Sequence, residues 1–444
     1  MSSPSEFEIP TFKVPIRSDH DVCIVGGGAA GLAAAVGAAR VGLKVLLIEK
    51  YGFCGGATVA GLSGTICGLH SSGKDLHQIV FGFAGEFYDS LKAQGGASAD
   101  PVPFGHTALV PHDSFVWKAV ADHFLKETGV EVLFHTSFLK AYGDADGKLE
   151  TILVRGMEGL FAIRARCFVD ASGDAELVHS LGGSTTLGRS GVVQAPTMIF
   201  RVGNVDMKAF LRLDPEEICE QVRAAARSGY SLPRHHVYLF PMPSGREVLC
   251  NMTRITYPDG STPLGISSCD MTFAEMEGRR QAREYARFLK DKLPAFARSY
   301  LVDTGTQVGI RQSRSIVGKV VLQNKDVLAG RKWKGAATFS AWPIEVHEGD
   351  ALKIAYLDNG TYDIPFETLI PTIGTNLLVA GRCLSAEHEA LASARVTAQC
   401  LGMGYAAGAA TGLMLKENLS SQEISGVEVT DWMKENRLKT TEEK

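Results

Sequence analysis

Residues 21–31 read Asp-Val-Cys-Ile-Val-Gly-Gly-Gly-Ala-Ala-Gly. The first five residues form a short apolar run that is typical of a buried strand, and the glycines open an alanine-rich stretch of helical composition. Gly42 ends that stretch, and residues 44–48 have the composition of a second buried strand, which ends at Glu49. We therefore predict a strand–helix–strand unit of about thirty residues.

The turn between this strand and this helix has the spacing G-x-G-x-x-G, formed by Gly26, Gly28 and Gly31. In this context the first glycine permits a sharp turn, the second lets the backbone approach a pyrophosphate, and the third lets the helix pack on the strand. The helix N-terminus offers N–H groups and partial positive charge to phosphates. Glu49, eighteen residues after Gly31, would accept the ribose hydroxyls and repel a 2′-phosphate, so NADP is disfavoured.

The bound nucleotide could be NAD or FAD, and three features of the later sequence favour FAD. Residues 131–135, 138–142, 149–155 and 161–169 have strand patterns joined by turn signals, which predicts a β-meander. The stretch Asp170–Asp174 follows the last of these strands and is expected beside the first turn. A late strand at 376–381 and a small-residue helix at 396–416 suit a flavin that lies across the sheet.

We predict an α/β fold in which a Rossmann-like FAD-binding domain contains the β-meander and an inserted α+β substrate domain. The FAD-binding domain would comprise residues 19–194 and a return segment, 346–418. The inserted domain would span residues 195–345, with a mixed sheet and a charged helix at 272–292. Residues 1–18 and 419–444 would be terminal extensions, the second polar and on the surface. Two more helices are expected at 79–93 and 113–129, the latter with an apolar face formed by Phe115, Ala119, Phe124 and Leu125.

Composition limits the classes of function. The chain has 444 residues and a formal net charge of −4, without a basic face, so no nucleic-acid partner is expected. Its nine cysteines include no C-x-x-C pair, which argues against a disulfide framework and a metal site and favours a cytoplasmic location. No apolar run is long enough for a membrane span, so no membrane partner is expected. The oligomeric state stays open and includes a homo-oligomer.

Further blocks of sequence stand at 55–58 (GGAT), 170–174 (DASGD), 309–318 (GIRQSRSIVG), 362–365 (YDIP), 377–395 and 404–408 (GYAAG). Together with the glycine-rich turn they resemble, in the same order, the motifs of the FAD-dependent oxidoreductase family. The resemblance covers residues 20 to 416. It implies a glutathione-reductase-like FAD fold, FAD as the cofactor and an inserted substrate domain. It describes the cofactor better than the reaction, because the family is poorly defined by substrate.

The resemblance also assigns residues to the parts of the cofactor. The ADP half would be held by Gly26, Gly28, Ala30, Gly31, Glu49 and Lys50. Near the pyrophosphate or the flavin edge would lie Gly55, Gly56 and Thr58. The residues that close over the ADP moiety would be Ser172, Gly173 and Asp174. The ribityl chain would meet Gly381 and Arg382, and flavin N1 and O2 would face Arg395 and Val396.

Three residues are candidates for chemistry on the substrate. His388 lies in the block that the resemblance places near the flavin, where an imidazole would act as a general acid or base, or else belong to the core. His347 lies near the return from the inserted domain, either in a cleft or simply buried. Arg311 would bind a substrate carboxylate through a bidentate contact, or else form an interdomain ion pair.

The leading hypothesis is an FAD-dependent oxidoreductase, a dehydrogenase or an oxidase, that moves a hydride equivalent between a substrate carbon and flavin N5. The substrate would be a small molecule bound between the inserted domain and the FAD-binding domain, and the sequence does not identify the electron acceptor. The alternative is an electron-transfer flavoprotein subunit that works with a redox partner protein. A third hypothesis is a nucleotide-binding protein without redox activity.

Overall fold

The computed structural model of the chain describes residue 11 and residues 13–73, 75–144, 147–347, 352–357 and 360–443. The strands are β1 (Ile16–Val25), β2 (Val45–Ile48), β3 (Thr65–Cys67), β4 (Val102–Phe104), β5 (Thr107–Pro111), β6 (Glu131–Leu133), β7 (Ser137–Gly143), β8 (Leu149–Gly156), β9 (Gly159–Asp170), β10 (Thr185–Leu187), β11 (Phe200–Gly203), β12 (Tyr238–Pro241), β13 (Glu247–Asn251), β14 (Tyr300–Thr304), β15 (Arg314–Ile316), β16 (Ala336–Ser340), β17 (Ile344–His347), β18 (Leu352–Ala355), β19 (Tyr362–Pro365) and β20 (Leu377–Val379). The helices are α1 (Ala29–Arg40), α2 (Gly82–Ala93), α3 (Ser114–Glu127), α4 (Glu176–Ser180), α5 (Met207–Phe210), α6 (Pro215–Arg227), α7 (Ser268–Lys292), α8 (Asn324–Leu328), α9 (His388–Ala394), α10 (Thr397–Glu417) and α11 (Gly426–Glu435). In this part of the chain, a helix with the length and apolarity of a membrane span does not occur.

The central sheet has seven strands, and its parallel part runs in the order β6-β2-β1-β9, with β20 also parallel to β9. The long strand β9 changes partners along its length. Its first half pairs antiparallel with β8, which pairs with β7, whereas its last residues pair with β20. The predicted strand–helix–strand unit is therefore confirmed, and β9 links the meander to the strand that returns late in the chain.

The meander is shorter than we predicted. Residues 131–133 form β6, which lies parallel to β2 at the edge of the sheet and is not part of the meander. The reason is the connection: β6 follows β2 after a stretch that contains α3, and a helical crossover of this kind produces a parallel pair. The meander consists of β7, β8 and β9 alone.

The helices α1 and α10 pack so closely that two positions of α10 have no room for a side chain. A Cβ atom on Gly404 would lie 2.0 Å from the carbonyl oxygen of Ala30, and one on Gly408 would lie 2.0 Å from that of Ala34. These distances are far below van der Waals contact. The glycines of α10 thus bring its N-terminal end next to the glycine-rich turn that begins α1.

The apolar face of α3 differs from the predicted one. Phe115 is 73% exposed and Ala119 is also exposed, so including them in this face was wrong. The buried residues are Trp117, Val120, Ala121, Phe124 and Leu125. They follow the spacing i, i+3, i+4, i+7 and i+8 of one helical face. Phe115 and Ala119 are each two positions from Trp117, and two positions turn a helix by about 200°, so both side chains lie on the opposite face.

A second sheet has the order β12-β13-β11-β14 and is antiparallel throughout, so the prediction of a mixed sheet was wrong. A short hairpin joins β12 to β13, and short connections favour antiparallel pairs. This sheet shares an apolar core of its own with α6 and α7. A third, smaller apolar cluster includes Leu62 from the loop before β3, Leu249 from the second sheet, and Trp342. The predicted domain boundaries at 195 and 345 stay a prediction.

The polar C-terminal stretch is not simply a surface tail, as we had expected. It forms α11, which packs on α10 through Trp432, whose indole N–H donates a hydrogen bond to the carbonyl of Ala409 at 3.0 Å. Ile424, Met433 and Leu438 are also buried. The sequence pattern was misleading because the apolar residues of α11 are few and occupy one face of a short helix.

Candidate active site

The glycine-rich turn connects β1 to α1 in a conformation that only glycine tolerates. Gly26 has a φ of +99°, and a Cβ atom on it would lie 2.6 Å from the carbonyl oxygen of Ala171. A Cβ on Gly31 would lie 1.7 Å from the carbonyl oxygen of Gly26. A Cβ on Gly28 would meet only the Cα of Gly56, at 3.9 Å. The turn is therefore tightly packed on its inner side and open on the side of Gly28.

The buried carboxylate of Glu49 holds this turn from the end of β2. It accepts hydrogen bonds from the backbone N–H of Gly27 at 2.6 Å and of Tyr51 at 2.9 Å. Burial raises the pKa of Glu49, while these donors and the charge of Lys50 oppose the rise. A carboxylate has about four lone-pair sites, so two backbone donors leave capacity for ribose hydroxyls.

The loop after β9 lies beside the turn and is fixed by Asp170. The Asp170 carboxylate accepts hydrogen bonds from the Ser172 hydroxyl at 2.6 Å and from the backbone N–H of Leu177 at 2.8 Å. Asp174, further along this loop, forms an ion pair with Arg382 at 2.7 Å. This ion pair joins the loop to the segment after β20, because Arg382 directly follows Gly381.

One cavity of about 280 Å³ extends from the turn to the second sheet. Fifteen of the sixteen predicted cofactor residues line it: Gly26, Gly28, Ala30, Glu49, Lys50, Gly55, Gly56, Thr58, Ser172, Gly173, Asp174, Gly381, Arg382, Arg395 and Val396. The remaining one, Gly31, lies beneath the turn and packs α1 against β1. The structure thus brings together residues that are up to 370 positions apart in the chain.

The far end of the cavity has aromatic walls. The ring of Phe104 stacks on that of Trp342, with centroids 5.7 Å apart and an angle of 6° between the planes. Tyr238 meets the edge of Phe104 at 5.1 Å. All three residues line the cavity, together with Phe240 and Leu109. This end is suited to the planar or apolar part of a small molecule.

A histidine and a carboxylate lie at the same end. His347 Nε2 is 3.1 Å from Glu345 Oε1, and both side chains line the cavity on β17. Burial, together with the charge of Arg311, lowers the pKa of His347 to about 3. Burial alone would raise the pKa of Glu345, but the hydrogen bond from His347 and the charges of Arg395 and Arg311 lower it below its ordinary value. At neutral pH a neutral imidazole therefore faces an ionised carboxylate.

The arginines at this end are largely buried. Arg311 is 9% exposed, lines the cavity, and donates a hydrogen bond from Nη1 to the carbonyl of Ala195 at 2.6 Å. Arg395 lines the cavity directly before α10 and donates from Nη2 to Gln194 at 3.3 Å. Arg314 points elsewhere: it begins β15 and donates to the carbonyl of Asp174.

His388 is not brought to this cavity. It is the first residue of α9, is 6% exposed, and is absent from the residues that line the cavity. Of the three predicted catalytic residues, the structure thus brings His347 and Arg311 together and places His388 outside the cavity wall. The reason is that α9 precedes the turn into α10, and only the second of these helices starts at the cavity.

The residues present fit FAD. The open side of the turn at Gly28 leaves room for a pyrophosphate next to the N-terminus of α1, which is suited to an anion. The carboxylate of Glu49 lies beside that turn. Arg395 and the N-terminus of α10 also line the cavity, and their positive charge is suited to the anionic form that a flavin takes on reduction.

The family model of FAD dependent oxidoreductases matches residues 21–433. The match covers most of the chain, so the protein belongs to this family. It is an FAD-dependent oxidoreductase, and FAD is its cofactor. The resemblance drawn from the separated sequence blocks is thereby confirmed.

Two curated relatives match parts of the chain. Leghemoglobin reductase of Glycine max is 27% identical over 213 residues, which are 47% of this chain and 32% of that protein. Urocanate reductase of Eggerthella lenta is 46% identical over 54 residues, 12% of this chain and 9% of that protein. The chain thus spans a third or less of the length of these relatives, and their names describe those proteins alone.

Solved structures share the general architecture. A geranylgeranyl bacteriochlorophyll reductase-like protein of Thermoplasma acidophilum has a TM-score of 0.49 and 14% identity, over 96% of this chain and 85% of that chain. The p-nitrophenol 4-monooxygenase of Pseudomonas putida has a TM-score of 0.48 and 13% identity, over 94% and 88%. Similarities this distant carry no conclusion about the reaction.

Sequence reasoning missed part of the site. Glu345 was not a candidate, although it is two residues from His347 on one strand, so that both side chains lie on the same face. That spacing was a usable signal. Phe104, Trp342 and Tyr238 come from separate segments, and no local pattern indicates that they meet.

Proposed function

We propose that this oxidoreductase moves a hydride equivalent between a carbon atom of a small molecule and the flavin. Oxidation of a C–H bond next to oxygen or nitrogen is the reaction class that the site supports best. The observation that carries the proposal is the continuity of the cavity, which runs from the glycine-rich turn at Gly28 to the aromatic wall and His347. A substrate at the aromatic end would therefore be next to a flavin bound along the cavity.

When bound, FAD supplies the capacity to accept two electrons as a hydride. The chain supplies the surroundings of the substrate. The rings of Phe104, Trp342 and Tyr238 exclude water from the reacting carbon and orient the molecule. Arg395 and the N-terminus of α10 favour negative charge where the flavin would meet the substrate-facing end of the cavity.

His347 is suited to accept the proton that leaves the substrate hydroxyl or amino group. Burial and the charge of Arg311 lower its pKa, so it is neutral at physiological pH, and it becomes a stronger base when a bound anion offsets the charge of Arg311. A neutral imidazole that donates its Nε2–H to Glu345 Oε1 keeps a lone pair on Nδ1 for the substrate proton. Glu345 is a positioning residue, since it fixes the ring and stabilises the imidazolium that forms.

The proposal is tested by anaerobic mixing of the FAD-loaded protein with a panel of small alcohols, amines, hydroxy acids and amino acids. We expect at least one of them to bleach the visible absorption of the flavin, which is lost on reduction. A holoprotein that dithionite bleaches, but that no member of the panel bleaches, would contradict the proposal.

The role of His347 is tested by His347→Gln in the reductive half-reaction with a substrate found by that screen. We expect flavin bleaching to slow about 10²- to 10³-fold, while the FAD content stays unchanged. His123→Gln is the matched control, because the His123 side chain is 63% exposed on α3. Equal bleaching rates in His347→Gln and wild type would show that the proton leaves by another route.

The hypothesis of an electron-transfer flavoprotein subunit gains no support. The two curated relatives are named as reductases, and no described feature of the chain favours a redox partner protein. The hypothesis of a nucleotide-binding protein without redox activity is not compatible with membership of an oxidoreductase family.

A further inference from the structure

Among the described residues, the substrate-facing end of the cavity contains more buried positive than negative charge. Arg311 and Arg395 both line it, and within the described residues neither forms an ion pair at hydrogen-bonding distance. The contacts of Arg311 and Arg395 are to the neutral oxygens of Ala195 and Gln194. The Nε atom of Arg395 is buried and has no acceptor among the residues that the structure describes.

A third guanidinium group lies directly behind this wall. Arg234 is 5% exposed, donates from Nη1 to the Asn251 side chain at 2.9 Å, and lies over the ring of Tyr238 at 5.3 Å. Asn251 and Tyr238 line the cavity. In the described part of the chain, Arg234 Nη2 is buried without an acceptor.

The carboxylate that these groups face is Glu345, which is hydrogen-bonded to His347 and to the indole N–H of Trp342. His347 is neutral and adds no charge at neutral pH. Among the residues that the structure describes at this end, the negative charge of Glu345 thus lies near three guanidinium groups, those of Arg311, Arg395 and Arg234.

Burying guanidinium groups without counter-ions is costly, because each loses its hydration. The excess therefore favours anions that enter the cavity. The reduced flavin would be one of these anions, and Arg395 and the N-terminus of α10 would balance its charge. Arg311 is left to bind a second anion. Among the described residues, its guanidinium group donates a hydrogen bond only from Nη1.

We propose that the substrate is a small carboxylate with a planar or apolar body, and that Arg311 binds its carboxylate. The carboxylate matches the bidentate fork of a guanidinium group. The body lies against Phe104, Trp342 and Tyr238. This inference rests on the proposed function for the location of the substrate, and it adds the chemical class of the molecule.

The test compares pairs of ligands that have nearly the same shape, one with a carboxylate and the other with a neutral amide. Phenylacetate and phenylacetamide, and benzoate and benzamide, are titrated into the FAD-loaded protein, and binding is followed by the change in the flavin absorption spectrum. We expect at least one carboxylate to bind about thirtyfold more tightly than its amide, the scale of a buried charge pair. Equal affinities within both pairs, or no binding of either carboxylate at 10 mM (roughly the weak limit for small ligands), would overturn the proposal.

The variant Arg311→Gln identifies the residue. We expect the ratio of carboxylate to amide affinity to fall to about one, with the FAD content retained. Arg279→Gln is the matched control, since the Arg279 side chain is 52% exposed on α7, and its ratio should match that of wild type. A wild-type ratio in Arg311→Gln would assign the carboxylate to another group. If Arg311→Gln does not fold, the wild-type ratio alone decides whether the substrate is an anion.

These measurements are made at equilibrium and need no turnover. A protein that prefers carboxylates, but whose flavin no compound reduces, would contradict the proposed function and leave this inference intact. If neutral alcohols or amines reduced the flavin, but carboxylates bound no more tightly than their amides, only this inference would be contradicted.

Discussion

The two ends of the cavity are built in different ways. At the glycine-rich turn, backbone groups and the absence of side chains form the site, and the carboxylate of Glu49 accepts hydrogen bonds from backbone N–H groups. At the aromatic end, side chains from separate segments form the site, and in the described part of the chain its guanidinium groups outnumber its carboxylates. A site made by backbone geometry tolerates no added atom, whereas a site made by side-chain charge is sensitive to the identity and ionisation of each group.

Gly31→Ala would distort the glycine-rich turn at the other end of the cavity. Its Cβ would lie 1.7 Å from the carbonyl oxygen of Gly26, so the turn has to move. We expect FAD affinity to fall at least about a hundredfold and the free energy of unfolding to fall by about 3 kcal/mol. Flavin fluorescence titration and chemical denaturation measure the two effects.

The control is Gly85→Ala, at another helical glycine. Its Cβ would be 3.4 Å from the nearest atom, an ordinary contact, and alanine is the better helix former. We expect FAD affinity to be unchanged and stability to be equal or slightly higher. Normal FAD binding by Gly31→Ala would mean that the tight inner packing of the turn is not required.

Glu345→Gln tests the aromatic end of the cavity, where side-chain charges form the site. It leaves the turn untouched but removes the carboxylate that faces Arg311 and Arg395. We expect the free energy of unfolding to fall by about 2 to 3 kcal/mol, with FAD affinity nearly unchanged. A carboxylate ligand such as phenylacetate should bind more tightly to this variant and restore part of the loss.

The same substitution at an exposed ion pair, Glu158→Gln, serves as the control. The Glu158 side chain is 58% exposed and 3.5 Å from Arg17, so its loss should cost less than about 1 kcal/mol. If the two variants had the same free energy of unfolding, Glu345 would not be needed to offset the positive charges at the aromatic end, and solvent would screen them instead.

Acid should weaken the side-chain end through His347. Its pKa in the folded protein is about 3, below the ordinary value of about 6.5. The unfolded chain therefore binds a proton first, and this contribution to stability is complete above about pH 6.5 and is lost as the pH falls towards 3. From pH 7 to pH 5 the loss should be about 2 kcal/mol. The charged groups that face His347 are Glu345, Arg311 and Arg234.

The measurement is the free energy of unfolding at pH 7 and pH 5 in wild type and in His347→Gln. We expect the variant to lose about 2 kcal/mol less than wild type on acidification, whereas His123→Gln, at an exposed position, should behave like wild type. The same pH dependence in wild type and His347→Gln would show that His347 is hydrated and titrates normally.

The sequence alone predicted the backbone end well, because its residues are close together in the chain and their spacing has a direct geometric meaning. Gly26, Gly28 and Glu49 belong to one strand–helix–strand unit, and their positions in the cavity follow from that unit. The more distant residues Asp174, Arg382 and Arg395 came from family motifs and also line the cavity. Their roles with FAD stay predictions.

Tertiary structure alone determined the other end. Whether His347 or His388 reaches the cavity depends on which of two neighbouring segments turns inward, and single residues carry no signal of that kind. The aromatic wall, the pairing of Glu345 with His347 and the excess of guanidinium groups arise where β12, β17 and the start of α10 converge. Local sequence fixed the class of nucleotide turn, because turn geometry depends on neighbouring residues. The charge of the substrate end depends on distances between residues far apart in the chain, and those distances exist only in the folded protein.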